Sequence, residues 1–316
     1  MSDTDVADVA DPTDSVDSVD PLKATLLDLL FELQGAKLPL VLGGGYGLYL
    51  HQEQIIERGE PLLLSAIPPL RSTNDLDVFL RTELLADSAR LLPLRKALDR
   101  LGFTVIAGAQ NYQFTRTFSM EGRKWDVKVD LLARQPDPVM YPRLKFDSRR
   151  VRPDPSVGIH AHTTPEAAAI EEEATALTVV GKRTTGEAYS GSVYLPSAYA
   201  FLLMKLFALR DQWQQEAKDF GRKHALDIYT IVALLTEAEF AKSLRLRDRY
   251  RASPVAQEAG AIVQQLFGNV DAPGVLRLRE HLNFPRAATA QTEEFLGVLT
   301  ELFPIVSPVV SPAVAG

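Results

Sequence analysis

The sequence contains no cysteine, which removes several chemistries at once. Disulfides, thiolate-ligated zinc and a cysteine nucleophile are excluded, and a thiol-free chain fits a cytoplasmic setting. No apolar run reaches the ~18 residues of a membrane-spanning helix, so no membrane partner is expected. Basic residues are missing from positions 1–20, MSDTDVADVADPTDSVDSVD, which hold seven Asp. That stretch lacks the basic start and apolar centre of a signal peptide, and it buries too little apolar surface to offset its ordering entropy. It reads as a disordered acidic leader. The net charge of −7 comes from it, since the rest of the chain carries 34 acidic against 34 basic residues. Residues 304–316, PIVSPVVSPAVAG, are apolar but interrupted by three prolines, and read as a loose tail rather than an anchor. Also absent are a Walker-type G-x-x-x-x-G-K-S/T run and a convincing Ser-His-Asp arrangement.

What remains is ordinary globular composition over a chain long enough for two domains. Residues 21–35 have helical spacing, LPLVL (38–42) reads as a strand, and LYLHQEQIIERG as a helix stopped by Gly59. RSTNDLDVFL (71–80) follows as a strand, then a helix over 82–102 with a break expected near Pro93. Strands are predicted at 103–107, 112–119 and 124–133. The stretch 136–164, rich in Pro, Arg, Asp and His, reads as a linker or mobile loop. Two more strands fit 175–181 and 190–195, and from Pro196 the pattern is helical. The expectation is an α/β (α+β) protein: a small mixed-sheet domain at 21–135, then a mostly helical domain at 165–303.

The chemistry-bearing feature is Asp75 and Asp77, two apart in a strand and therefore on one face about 6.5–7 Å apart. Leu76, Val78 and Leu80 take the core face. Paired carboxylates against a sheet repel and lose hydration, and a divalent cation compensates both effects. In KWDVKVDLLA the alternation puts Asp130 on a polar face as well. If its strand neighbours that of Asp75 and Asp77, three carboxylates form an oxygen-rich site suited to Mg²⁺. Two such ions, bridged by Asp75 and Asp77 and completed by Asp130, fit phosphoryl chemistry. GGGYG, with Gly43, Gly44 and Gly45 between a strand and a helix, offers backbone amides and a helix N-terminus for phosphate oxygens. His160 and His162 alternate like strand residues, but an H-x-H without a third ligand reads as loop polarity.

This order resembles the DNA polymerase β-type nucleotidyltransferase superfamily: glycines at a strand–helix turn, then Arg71, Thr73, Asp75 and Asp77 as R-x-T-x-D-h-D (h, hydrophobic), then Asp130. More narrowly it resembles the abortive-infection AbiEii toxin family, whose later helical motifs match Lys205 and Arg210 in MKLFALR and Lys223 and Asp227 in GRKHALDIY. The resemblance spans about 40–235. It implies NTP as substrate, Lys205 on the nucleotide phosphates, and Lys223 and Asp227 in the pocket floor. Arg210 suits bidentate phosphate binding. The chain departs from the family where His224 replaces an acidic residue, and where no Ser or Thr follows Gly-Gly.

For the acceptor, residues 116–152 hold ten Lys/Arg against five Asp/Glu, and 242–251 five against one. Such stretches suit a phosphate backbone or a solvated face. Relatives in the family act as toxins and some add nucleotides to tRNA ends, so RNA is the implied acceptor and an antitoxin protein the implied partner. A protein hydroxyl or a small molecule is the second class of acceptor. A non-catalytic binding or regulatory domain is the third reading.

Overall fold

The computed structural model describes residues 20–36, 38–69, 71, 73–147 and 149–305. The acidic leader up to residue 19 and the tail from 306 lie outside them. Ten helices and a mixed sheet are described: α1 (Pro21–Leu33), β1 (Val41–Leu42), α2 (Gly44–Arg58), β2 (Asp75–Phe79), α3 (Thr82–Leu85), α4 (Ser88–Arg100), β3 (Thr104–Val105), β4 (Gln113–Met120), β5 (Arg123–Arg134), β6 (Leu144–Asp147), β7 (Arg150–Pro153), β8 (Ala161–Thr164), β9 (Thr175–Lys182), β10 (Ala188–Leu195), α5 (Ala198–Gln212), α6 (Arg222–Ala233), α7 (Glu237–Tyr250), α8 (Pro254–Phe267), α9 (Pro273–Arg279) and α10 (Thr292–Leu302). The strands run in the order β6-β7-β8-β5-β2-β1-β10-β9, with β4 on β5 and β3 on β4. The mixed sheet followed by helices is the α+β arrangement that the periodicity predicts.

The sheet is larger than expected. The segment 136–164, read as a linker, contributes β6, β7 and β8, and β8 pairs in parallel with the end of β5. Short strands among prolines and charges carry little alternation, so their pairing is a tertiary fact that local pattern does not reveal. Likewise β9 and β10, grouped by sequence with the helices, join this sheet through β1. The helix over 82–102 breaks at Asp87 and not at Pro93, which α4 accommodates. Asp87 accepts hydrogen bonds from the amides of Ala89 and Arg90, a cap strong enough to start a helix there.

Each face of the sheet buries a core. Leu76, Val78, Leu80, Val127, Val129 and Leu131 pack with α1 and α4. Phe79, Leu132 and Tyr194 point the other way, toward the cluster built by α2 and the C-terminal helices. Alternation therefore puts Asp75, Asp77 and Asp130 on the face that the helical half overhangs.

Asp28, buried in α1, draws two distant hairpins onto that helix. It accepts from Arg116 Nη1 of β4 at 2.8 Å, from Arg183 Nε at 3.2 Å and from the Thr184 hydroxyl. Arg183 also lies over the Phe31 ring, 3.7 Å from its centroid. Removing this buried carboxylate leaves the Arg116 guanidinium without its ion pair and Arg183 with only the exposed Glu187. Asp28→Ala is expected to lower stability by about 3–5 kcal/mol in urea unfolding. A loss under about 1 kcal/mol would mean that the hairpins dock without it.

Candidate active site

Two parallel neighbours set the centre of the site. In the β2–β5 pairing Asp75 registers with Lys128 and Asp77 with Asp130, so three carboxylates share one half-buried patch. Asp75 accepts from the Thr73 hydroxyl at 2.6 Å, and Asp130 Oδ2 accepts from Gln113 Nε2 at 3.1 Å. The other oxygen of Asp130 is buried with no hydrogen-bond partner. Burial first, then the charges of Asp75 and Asp130, push Asp77 up to about 7, against the pull of Lys205 and Lys223. Burial also lifts Asp130 above the usual carboxylate range, with Asp75 adding to it and Gln113 and Lys128 opposing.

The glycine turn fits against this patch. Leu42 ends β1, and the Gly43 amide donates to the Asp77 carbonyl at 2.9 Å. Gly44 has φ +64°, and a Cβ there would sit 1.7 Å from Asp77 Oδ2. A Cβ on Gly45 would press on Arg71 Nη2 and Thr73 Oγ1 at 3.0 and 3.2 Å, and one on Gly47 on the Leu42 carbonyl at 2.4 Å. These glycines therefore let the start of α2 lie directly on the Asp75–Asp77 strand, and no side chain caps that helix terminus. The helix begins at Gly44, four residues before the leucine pattern predicts, because the triple glycine carries no periodicity.

Across from the carboxylates, one anion on α6 holds a cation from α5 and another from the segment ahead of β2. Asp227, buried in α6, accepts from Arg71 Nε and Nη2 at 3.1 and 3.2 Å and from Lys205 Nζ at 2.7 Å. Burial alone would raise its pKa, but Lys205 and Arg71 hold it down at about 2. Lys223, at the start of α6, is lowered by burial and by Arg71 and Lys205, with Asp75 opposing. His224 is buried beside them with neither ring nitrogen hydrogen-bonded. Burial and Lys205 lower its pKa to about 3, so it is neutral.

Of the residues singled out in the sequence, the structure gathers Gly43, Gly44, Gly45, Arg71, Thr73, Asp75, Asp77, Asp130, Lys205, Lys223 and Asp227. Arg210 stands apart and is bonded to Asp211 and Glu258. Five helical positions rotate it by about 140° from Lys205, onto another side of α5. Gln113, which holds Asp130, escaped the sequence reading. Its only signal was its place in a polar-alternating strand opposite that aspartate.

Among the described residues, no three His, Asp or Glu side chains are gathered to hold a metal ion as they stand. The donor set nevertheless suits a hard divalent cation: three carboxylates, one with an orphaned oxygen and one with its pKa raised by burial and by its neighbours.

A raised carboxyl pKa means that folding favours the protonated acid. The cost of ionised Asp77 is absent below about pH 4, grows as pH rises toward 7, and is complete above it. Without divalent metal, Asp77→Asn should raise the melting temperature by roughly 3–6 °C at pH 8 and leave it unchanged near pH 4. Equal melting of the two proteins at pH 8, by scanning calorimetry with chelator, would contradict this reading of the patch.

No protein-family profile matches the chain, and no curated protein matches it. Among solved structures, the chain is similar to an antigenic nucleotidyltransferase-like protein from Paracoccidioides brasiliensis, at 16% identity and TM-score 0.41, over 80% of this chain and 99% of that one. It is also similar to the antibiotic-resistance factor ANT(2'')-Ia, at 12% identity and TM-score 0.32, over 74% of this chain and 98% of that one.

Proposed function

We propose that this protein is a Mg²⁺-dependent nucleotidyltransferase that moves an NMP from an NTP to an acceptor hydroxyl and releases pyrophosphate. One observation carries the reading: an uncompensated patch of Asp75, Asp77 and Asp130 abuts an uncapped glycine-led helix start, with Arg71, Lys205 and Lys223 opposite. A metal–triphosphate needs those three components together. Asp75, Asp77 and Asp130 would hold the metal, with two ions as the expected complement. Bound there, Mg²⁺ supplies charge neutralisation for the triphosphate and activates the acceptor hydroxyl.

The chain's own groups do the rest. Amides at the start of α2 bind phosphate oxygens, assisted by the positive end of the helix. Lys205 and Lys223 bring charge to the leaving phosphates, and Asp227 keeps Arg71 and Lys205 oriented between turnovers. The acceptor oxygen bonds to the α-phosphorus as the bond to the β-phosphate oxygen breaks, and the hydroxyl proton passes to Asp130. The acceptor in this proposal is RNA, a tRNA end in the toxin setting that the AbiEii resemblance implies, with an antitoxin protein as partner.

The test uses purified protein, Mg²⁺ and each α-³²P-labelled NTP, with cellular RNA and cellular protein as separate acceptors. Label is expected in RNA, and Asp75→Asn or Asp77→Asn should lower transfer about a hundred-fold or more. Label entering protein instead moves the acceptor to a side chain, and full transfer by Asp77→Asn overturns the catalytic assignment. Gly44→Ala puts a methyl on the Asp77 carboxylate, and transfer should fall about as far as in Asp77→Asn.

A further inference from the structure

Beside Asp130 lies a surface that the nucleotide chemistry does not use. In the β5–β8 pairing His162 registers with Leu132, and in β7–β8 Arg150 registers with His162. Neighbours in register share a face, so His162, Arg150 and Arg152 project from the same face as Asp130, one and two strands away. Tyr112, just before the Gln113 that holds Asp130, stacks on the His162 ring with centroids 5.7 Å apart and planes at 29°. Both residues are half-buried and keep some access to solvent.

Cations border this stack. Arg149 lies close enough to His162, and Arg150 and Arg152 to His160, to lower the pKa of each histidine after burial has done so. Arg150 is taken up by Asp147. Arg149, Arg152 and Lys128, however, form no ion pair among the described residues, whereas Arg116, Arg183, Arg222 and Arg249 all do. Carboxylates nearby are Glu166, half-buried against Arg149 and Arg210, and Asp130 itself. His160 is not part of the stack, since it is buried with Nδ1 on the Gln110 carbonyl.

A half-buried aromatic pair with cations near it that are unpaired among the described residues matches the two features that single-stranded polynucleotides offer, base faces and phosphates. We propose that the Tyr112–His162 stack, with Arg149 and Arg152, seats the single-stranded 3′ end of a nucleic-acid acceptor and delivers its terminal hydroxyl to Asp130. The proposal rests on the nucleotidyl-transfer reading above and assigns its acceptor side. A base at the end of the strand extends the stack, and the arginines take the phosphates that follow it.

The test is fluorescence anisotropy with a 5′-labelled, unstructured oligoribonucleotide on the full chain without NTP. Tyr112→Leu or His162→Ala should weaken binding roughly ten-fold or more, while Tyr112→Phe and His162→Phe, which keep an aromatic face, should retain it. The double change Arg149→Gln with Arg152→Gln should weaken binding and reduce the salt slope by about 0.7 for each phosphate left without its arginine. A duplex of the same sequence, with its bases unavailable, should bind more weakly. Equal binding of duplex and single strand, or unchanged binding once the aromatic faces are removed, overturns the proposal. NTP binding is measured on the same proteins and should not change in these variants. Wild-type protein that binds no NTP defeats the transferase reading, whereas one that binds NTP but not the oligonucleotide defeats only the acceptor surface.

Discussion

One buried carboxylate joins the two halves of the candidate site. Asp227 reaches from α6 to Arg71, in the segment leading into β2, and to Lys205 on α5. Without that anion, the buried ammonium of Lys205 would lack its counter-charge, and the guanidinium beside Gly45 and Thr73 would lose its bidentate partner. Asp227 therefore ties together two cations that come from separate parts of the chain, one ahead of β2 and one on α5. Its low pKa keeps the clasp charged throughout the physiological range.

The opposite wall is built on the contrary principle. Asp75, Asp77 and Asp130 gather like charges, with side-chain hydrogen bonds from Thr73 to the first and from Gln113 to the last. A patch optimised for stability would have placed a cation among them. Lys128 is registered beside Asp75, yet it forms no ion pair among the described residues. Stability is thus lower than it would be with a neutral patch, which is the pattern expected where a site is arranged for an incoming charge. Asp28 shows the alternative. That aspartate is also buried but is fully partnered by Arg116, Arg183 and Thr184, and it serves the docking of hairpins on α1.

The glycines link the two principles. Their sequence signature reads as phosphate binding, but in the folded chain Gly44 and Gly47 first permit close approach, one to Asp77 and the other to the Leu42 carbonyl. A side chain at either position would push α2 off the strand. The helix terminus and the carboxylates would then no longer share one pocket.

Much of this was written in local pattern. Alternation in DLDV and WDVKVD determined which face each aspartate takes, because side-chain period in a strand allows only two answers. Helical spacing likewise placed Lys205 and Asp227 on helices, whereas Asp20, grouped by composition with the acidic leader, instead caps α1 by accepting from the Leu22 and Lys23 amides. Other features needed the tertiary fold. The parallel register that sets Asp77 beside Asp130 joins strands about fifty residues apart in sequence, and no local signal encodes it. Helix geometry turned Arg210 away from Lys205, and the pairing of β8 with β5 turned two loop-like histidines into one buried side chain and one stacked on Tyr112. Residue types thus determined which chemistry the chain can support. Only long-range strand pairing decided which of those residues meet, because contact between distant segments is set by the packing of the whole sheet and not by any window of sequence.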